Sequence, residues 1–479
     1  MFLRRFYHEP LAQASYMLGC QTARAAVVVD PNRDTAQYHA AALEENVRIT
    51  HVTETHIHAD YLSGSCQLAR ETGAKLLLSA EGGEAWQYAF ARDEGAVLLR
   101  GGDNFEVGAV RVDVLHTPGH TPEHLTFLVT DTAAADGPMG ALTGDFIFVG
   151  DVGRPDLLER AAHVRGTMEA SARDLFRSLR DFAELPDYLQ LWPGHGAGSA
   201  CGKALGAMPQ STLGYEKRFN WAFAIEDEAE FVKEVLDGQP APPTYFAMMK
   251  RLNRDGPAVL AQRVRPRELP TGALAEVLGG GGVLVDLRTA AEFNAGHVPG
   301  TLSIPLGRSF TGWAGWLLPY DRDIHLIAGG TGEAARVVAE RAALELSLIG
   351  IDRIAGYFSR DALETWRSAG GAMESVTEID AATLSERLRR GEVRLIDVRG
   401  RSEWDAEHIA GSRNIPLGEL AAGPDTLGDS GPLVMHCASG ARSIIASSVL
   451  LSRGVRDVLN LSGGLAAWRD AGLPLDHSD

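Results

Sequence analysis

Short apolar runs separated by polar clusters make up the first half of the chain. Val47 to Thr55 (VRITHVTET) is apolar and β-branched, and it gives way to a helical pattern over Leu62 to Thr72. Similar runs cover Val110 to Thr117, Met139 to Thr143 and Tyr188 to Trp192. Each run predicts a strand, and each ends in a polar cluster: Thr55 to Gly64 (THIHADYLSG), then Pro118-Gly119-His120-Thr121, then Gly144-Asp145, then Pro193-Gly194-His195. Four strands ending in His or Asp are what a sandwich of sheets produces when it gathers its loops along one edge. The first cluster places His56, His58 and Asp60 within five residues. They can converge on one cation only if the backbone turns between them, and Ala59, Ser63 and Gly64 permit that turn.

From Glu226 to Pro243 the pattern changes to an acidic helical run ending in QPAPP, which reads as an exit helix and a stiff connector. The second half contains an internal repeat. Val283 to Leu306 aligns with Arg394 to Leu417 at a constant spacing of 111, pairing Asp286 with Asp397, Arg288 with Arg399, Glu292 with Glu403 and His297 with His408. Trp366-Arg367 likewise matches Trp468-Arg469. Each copy alternates β-rich runs with helical segments, which predicts a small α/β domain with a mainly parallel sheet. The expected division is residues 1–240 for the first domain, 241–264 for a linker, 265–372 for the first repeat and 373–479 for the second.

Composition narrows the function classes. A length of 479 residues suggests about three domains, and 45% hydrophobic with 23% charged residues is ordinary globular usage. A net charge of −18 argues against nucleic acid and anionic membranes as partners. Four cysteines, Cys20, Cys66, Cys201 and Cys437, are too few for a disulfide framework and fit a reducing compartment. MFLRRFYHEP has no apolar h-region after its arginines, so the expectation is a cytoplasmic protein without a signal peptide or membrane span.

The order HxHxD, TPGH, TGD, PGH resembles the metallo-β-lactamase fold, an αββα sandwich of two sheets flanked by helices. In that family a binuclear hydrolase needs a histidine directly after the aspartate of HxHxD; here that residue is Tyr61. A phenol is a far poorer ligand than an imidazole at neutral pH, so one metal is expected and not two. The resemblance is then closest to the persulfide dioxygenase branch, and it implies one Fe(II) per chain held by His56, His120 and Asp145. Two histidines and one carboxylate leave coordination positions open for O2 and a sulfur ligand. His58, Asp60, Tyr61 and His195 become groups that surround and orient the ligands. Zinc is the alternative metal, with His58 promoted to a ligand. In the dioxygenase family an arginine placed like Arg154 contacts a substrate carboxylate, a task suited to a guanidinium. His116 and His124 are expected to be structural, and His8, His39, His51 and His163 ordinary.

Two cysteines carry further expectations. Cys201 follows His195 in a glycine-rich loop (GHGAGSACG), which predicts a sulfur facing the metal edge, able to hold a persulfide there. Cys437 lies where the short apolar strand Pro432 to His436 meets a helical run, so backbone N–H groups and a helix N-terminus surround its sulfur and favour the thiolate. With D-x-R, E, H and IPL upstream, the six residues from Cys437 to Arg442 resemble the rhodanese sulfur-transfer loop, which implies that Cys437 accepts sulfane sulfur. The first repeat has GGTGE after its strand His325 to Ala328, and no cysteine stands between Cys201 and Cys437. Residues 265–372 are therefore expected to be an inactive rhodanese-like domain for docking or spacing.

Together these resemblances point to the three-domain persulfide dioxygenase/rhodanese fusion proteins of bacterial sulfide detoxification. They imply oxidation of a low-molecular-weight thiol persulfide by O2 to sulfite, coupled to interconversion of sulfite and persulfide with thiosulfate. Two rivals are a binuclear thioester hydrolase of glyoxalase II type, against which Tyr61 speaks, and a sulfur carrier with a vestigial metal site, against which His56, His120 and Asp145 speak. The identity of the thiol and the possibility of a homo-oligomer are left open by the sequence.

Overall fold

The computed structural model describes residues 1–157, 166–239, 241–260, 264–420, 427 and 431–477; His163 and Pro240 lie outside them. The chain divides into two compact units, Met1–Arg263 with Ser347–Gly350, and Val264–Leu346 with Ile351–Asp479.

The first unit is built on two six-stranded sheets. One contains β1 (Phe2–His8), β2 (Gln13–Cys20), β3 (Ala25–Val29), β4 (Arg48–Thr53), β5 (Lys75–Ser79) and β6 (Val97–Leu99) in sequential order. The other contains β7 (Asn104–Val107), β8 (Val110–His116), β9 (Leu125–Asp131), β10 (Gly140–Gly144), β11 (Gln190–Pro193) and β12 (Ser211–Thr212), again in sequential order across the sheet. Their facing sides alternate inward as period-2 strands require. Tyr16, Leu18, Val27, Val29, Val112, Val114, Phe127, Val129 and Trp192 form one buried layer between the sheets. Each such side chain contributes roughly 1.5–3 kcal/mol by leaving water. The outer faces are covered by helices: Leu68 of helix Ser65–Thr72 packs with Val28, Val52 and Leu78, and Leu175 and Leu179 of helix Met168–Ala183 pack with Ala141 and Leu191. This is the expected αββα sandwich.

The expected strands are present within a residue or two, and their ends converge. Gly144 shows why the last residue of β10 is glycine: its φ is +49°, and a Cβ there would stand 2.5 Å from Thr55 Oγ1 and 2.7 Å from His124 Nε2. Only a residue without a side chain lets the β10 loop approach the β4 loop this closely.

The expected linker, 241–264, is corrected by the structure. It contains the helix Phe246–Asp255 and belongs to the first unit through residue 263. Asn253 of this helix donates Nδ2–H to the carbonyls of His58 and Tyr61, both at 2.8 Å, and accepts the Ser63 N–H at 2.9 Å. The acidic and proline-rich stretch before it concealed a helix that clasps the THIHADYLSG loop.

The second unit holds two parallel sheets. The first has the order β14-β13-β15-β16 (Leu302–Ser303, Val283–Asp286, Ile324–Ile327, Ile354–Phe358). The second has β17-β21-β20-β18-β19 (Thr377–Ile379, Val458–Leu461, Leu433–His436, Arg394–Asp397, Arg413–Asn414). The repeat is thus visible in the topology, with β17 as an added edge strand. Asp286 pairs with Ile327, and Asp397 with His436, so the residues after these strands, Ala328 and Cys437, occupy matching positions. Among the described residues no helix is long and apolar enough to cross a membrane.

Asn253→Ala leaves two buried carbonyls and one N–H without their partner. A loss of about 1–3 kcal/mol is expected in the unfolding of the first unit, measured by urea titration. Wild-type stability would mean that the helix does not hold the loop.

Candidate metal centre and cysteine loop

Three strand ends deliver three ligand atoms to one point. His56 follows β4, His120 follows β8, and Asp145 follows β10. Their ligand atoms lie within 4.8 Å of one another: Asp145 Oδ2 stands 3.8 Å from His56 Nε2 and 3.5 Å from His120 Nε2. All three side chains are buried. Among the described residues His56 Nε2 and Asp145 Oδ2 have no hydrogen-bond partner, and buried polar atoms are rarely left so.

The hydrogen bonds behind the rings assign the tautomers. Thr55 Oγ1–H donates to Asp30 Oδ2 at 2.9 Å, so the same oxygen accepts from His56 Nδ1–H, also at 2.9 Å. His120 Nδ1–H donates to the Arg154 carbonyl at 3.0 Å. Both rings therefore present an Nε2 lone pair toward Asp145. Burial holds the pKa of His56 well below the usual histidine value and lowers that of His120, keeping both neutral as ligands require. Two neutral imidazoles and a carboxylate, with unpartnered atoms aimed at one point, fit a divalent metal.

Asp145 is held from several sides. Its Oδ1 accepts from His195 Nδ1 at 2.7 Å, and its backbone N–H donates to His124 Nε2 at 3.2 Å. His195 Nε2 in turn meets Asp60 Oδ2 at 2.7 Å. Burial alone would raise the Asp145 carboxyl, but the positive charge of His195 outweighs it and holds the group well below the usual range. For His195 burial opposes protonation and the two carboxylates overcome it, so the ring is an imidazolium with both N–H groups engaged.

The other expected site residues divide. His58 Nε2 contacts Asp30 Oδ1 at 3.1 Å; burial lowers its pKa, and the Asp30 charge raises it further the other way, to about 9. Tyr61 turns its hydroxyl to the Asp30 carbonyl at 3.1 Å. Cys201 is buried, with its sulfur among Asp60, His195 and Asp145. Burial and the two neighbouring carboxylates push its thiol well up. The expectation for Arg154 is corrected. Its guanidinium is wholly buried and makes two 2.7 Å bonds to Asp156, with a third to the Ala200 carbonyl at 3.2 Å, so its donors meet the protein and not a substrate carboxylate.

Asp30, His124 and Asn253 were missed as site residues. Asp30 accepts the Thr55 N–H at 2.7 Å besides the bonds to Thr55 Oγ1 and His58. Its signal was present: it ends the apolar run AAVVV, as Asp145 ends its own strand.

At the far end of the chain Cys437 closes β20 ahead of helix Ala441–Ser452. Its sulfur accepts the Gly440 N–H at 3.2 Å and the Ser443 hydroxyl at 3.6 Å. Arg442 forms a two-pronged ion pair with Glu403, at 2.7 and 2.8 Å. Burial lowers the neighbouring His436 to about 4, leaving it neutral.

Thr55→Val removes the acceptor that sets the His56 tautomer. Metal affinity is expected to fall about 10- to 100-fold in chelator competition, with Thr55→Ser restoring it; unchanged affinity would contradict the assignment.

The profile of the metallo-beta-lactamase superfamily matches residues 8–195, and that of the rhodanese-like domain residues 380–471. The crystal structure of a metallo-beta-lactamase from Staphylococcus aureus subsp. aureus COL is 42% identical and covers 75% of this chain and 99% of its own, with a TM-score of 0.66. The mitochondrial persulfide dioxygenase ETHE1 of Bos taurus is 28% identical over 50% of this chain and 81% of its own length. A beta-lactamase hydrolase-like protein of Xylella fastidiosa (strain 9a5c) is 28% identical over 47% of this chain, and the match spans about half, 53%, of that relative. With the sandwich, the convergent ligands and the cysteine loop, these likenesses establish that the chain belongs to the metallo-beta-lactamase superfamily and carries a rhodanese-like domain at residues 380–471.

Proposed function

We propose that the protein is a mononuclear iron persulfide dioxygenase coupled to a rhodanese-type sulfurtransferase. The observation that carries this reading is the unpartnered pair His56 Nε2 and Asp145 Oδ2 beside His120, next to a Tyr61 hydroxyl turned away to Asp30. Asp60, His195 and Cys201 form a second cluster of possible ligands, but both ring nitrogens of His195 are engaged by the Asp145 and Asp60 carboxylates, and a phenol stands where a second metal would need an imidazole; this supports one metal over two. The binuclear hydrolase is correspondingly less well supported.

His56, His120 and Asp145 would hold the metal, which when bound as Fe(II) supplies the redox chemistry between O2 and a persulfide sulfur. The protein keeps both imidazoles neutral, through Thr55 and through the Arg154 carbonyl, and steadies the carboxylate with His195 and the His124 ring. Cys201 is proposed to support Asp145 and not to carry sulfur, because the carboxylates of Asp60 and Asp145 around it repel an anionic persulfide.

In the second activity the Cys437 thiolate attacks the outer sulfur of thiosulfate. The new S–S bond forms as the old one breaks, sulfite leaves with the electron pair, and the enzyme persulfide remains. Attack of sulfite on that persulfide is the same step in reverse. The Gly440 N–H and Ser443 hydroxyl donate to the sulfur, which suits an anion there. Residues 265–372 are proposed as a cysteine-free companion domain, since Ala328 stands where Cys437 does and the helix after it opens with Gly332-Glu333 where the other opens with Ala441-Arg442. We place the protein in the cytoplasm.

Two variants separate the activities. Asp145→Ala is expected to abolish O2 uptake on glutathione persulfide while sulfur transfer from thiosulfate to cyanide persists. Cys437→Ser is expected to lower that transfer by at least 100-fold and leave O2-dependent sulfite formation within about twofold. Loss of both activities in either variant would contradict two separate sites.

A further inference from the structure

Beside His120 the first unit has a narrow pocket, with a volume of about 20 Å³ open to the centre of a water-sized sphere. Ile57, Trp86, Leu157 and Phe246 make its walls apolar. Two polar groups besides His120 face it, Thr121 and Lys250. The Thr121 hydroxyl is buried beside the Glu123 carboxylate. The Lys250 ammonium lies 3.5 Å from the centre of the Trp86 ring, and among the described residues no carboxylate stands within ion-pair distance of it.

Lys250 is not a surface lysine that happens to lean inward. It sits on the helix Phe246–Asp255, one turn before Asn253, which is bonded to the metal-loop carbonyls of His58 and Tyr61. Residues three apart share a helix face, so the same anchor that holds the loop fixes the lysine beside it. The nearest opposing charge is Glu123, which does not line the pocket. Its Oε1 accepts the Ile57 N–H at 2.8 Å, and burial pushes its carboxyl up to about 7, so it neutralises Lys250 incompletely. Burial also lowers the lysine, to about 8. A half-buried cation over an aromatic face, with a hydroxyl nearby and apolar walls between, is organised for the anionic end of a short organic molecule.

Resting on the dioxygenase reading, we infer that this pocket receives a short-chain organic persulfide bearing a carboxylate, and that Lys250 and Thr121 bind that carboxylate. Lys250 is thereby the specificity-determining cation, the part that Arg154, closed off by Asp156, does not play. A persulfide of the same length without the charge leaves the ammonium unpaired and binds less well.

The test compares 3-mercaptopropionate with its uncharged amide, 3-mercaptopropionamide. Binding of the two thiols to the anaerobic metal-loaded protein is measured by calorimetry, and O2 uptake is measured on their persulfides. The carboxylate is expected to bind about 10-fold or more tightly than the amide. Lys250→Met should bring that ratio close to one in both Kd and KM, whereas Lys250→Arg should keep most of it. A wild-type ratio of one, or a ratio that survives Lys250→Met, overturns the inference. If neither persulfide drives O2 uptake while the calorimetric ratio and its loss hold, the dioxygenase reading fails and the anion site stands.

Discussion

A fully buried carboxylate is the constraint on which the first unit depends. Taking Asp145 out of water without compensation would cost several kcal/mol, and the fold answers with positive charge on one side and two further candidate cation ligands on the other. His195, pinned between Asp145 and Asp60, supplies the first. The second are the two imidazoles whose lone pairs Asp145 Oδ2 faces, an arrangement that asks for a cation. Asp30 solves the same problem on the neighbouring loop, by accepting from Thr55 and His58. The two buried acids are linked through Thr55 and His56, so the geometry of the candidate ligands is set in part by residues outside that set.

The two copies in the second unit show how little separates a reactive strand-to-helix turn from an inert one. The four strands common to both sheets have the same order, and both copies place a helix directly after the turn. In one copy a sulfur sits where backbone and hydroxyl donors reach it; in the other that position is Ala328. The framework of D-x-R survives in each, with Arg288 on Asp286 and Arg399 on Asp397 in matching ion pairs. That pair, with its carboxylate fully buried, ties the first strand to the turn after it, which accounts for its presence in a copy without the cysteine.

Much of this was legible in the sequence, for a physical reason. Strands with buried faces must be apolar, so a His or Asp at their ends stands out, and the pattern drew attention to His56, His120, Asp145 and His195; which of them form the ligand set was what the family resemblance implied. Asp30 carried the same signal but lacked a histidine beside it. Arg154 misled because sequence shows a guanidinium's reach and not its partner; Asp156, two residues on, takes both arms. The helix Phe246–Asp255 was hidden by the acidic run and prolines before it, and with it went Asn253 and Lys250. Its role is tertiary: Asn253 satisfies loop carbonyls nearly two hundred residues away in sequence, which no local pattern encodes.

The central claim is a single metal site set by His56, His120 and Asp145, with Tyr61 closing off a second. Elemental analysis of the protein purified without oxygen tests it most directly. The account predicts about one iron per chain and no second equivalent on titration with Fe(II) or Zn(II). Two tightly held metals per chain, accompanied by thioester hydrolysis without O2 uptake, would contradict it.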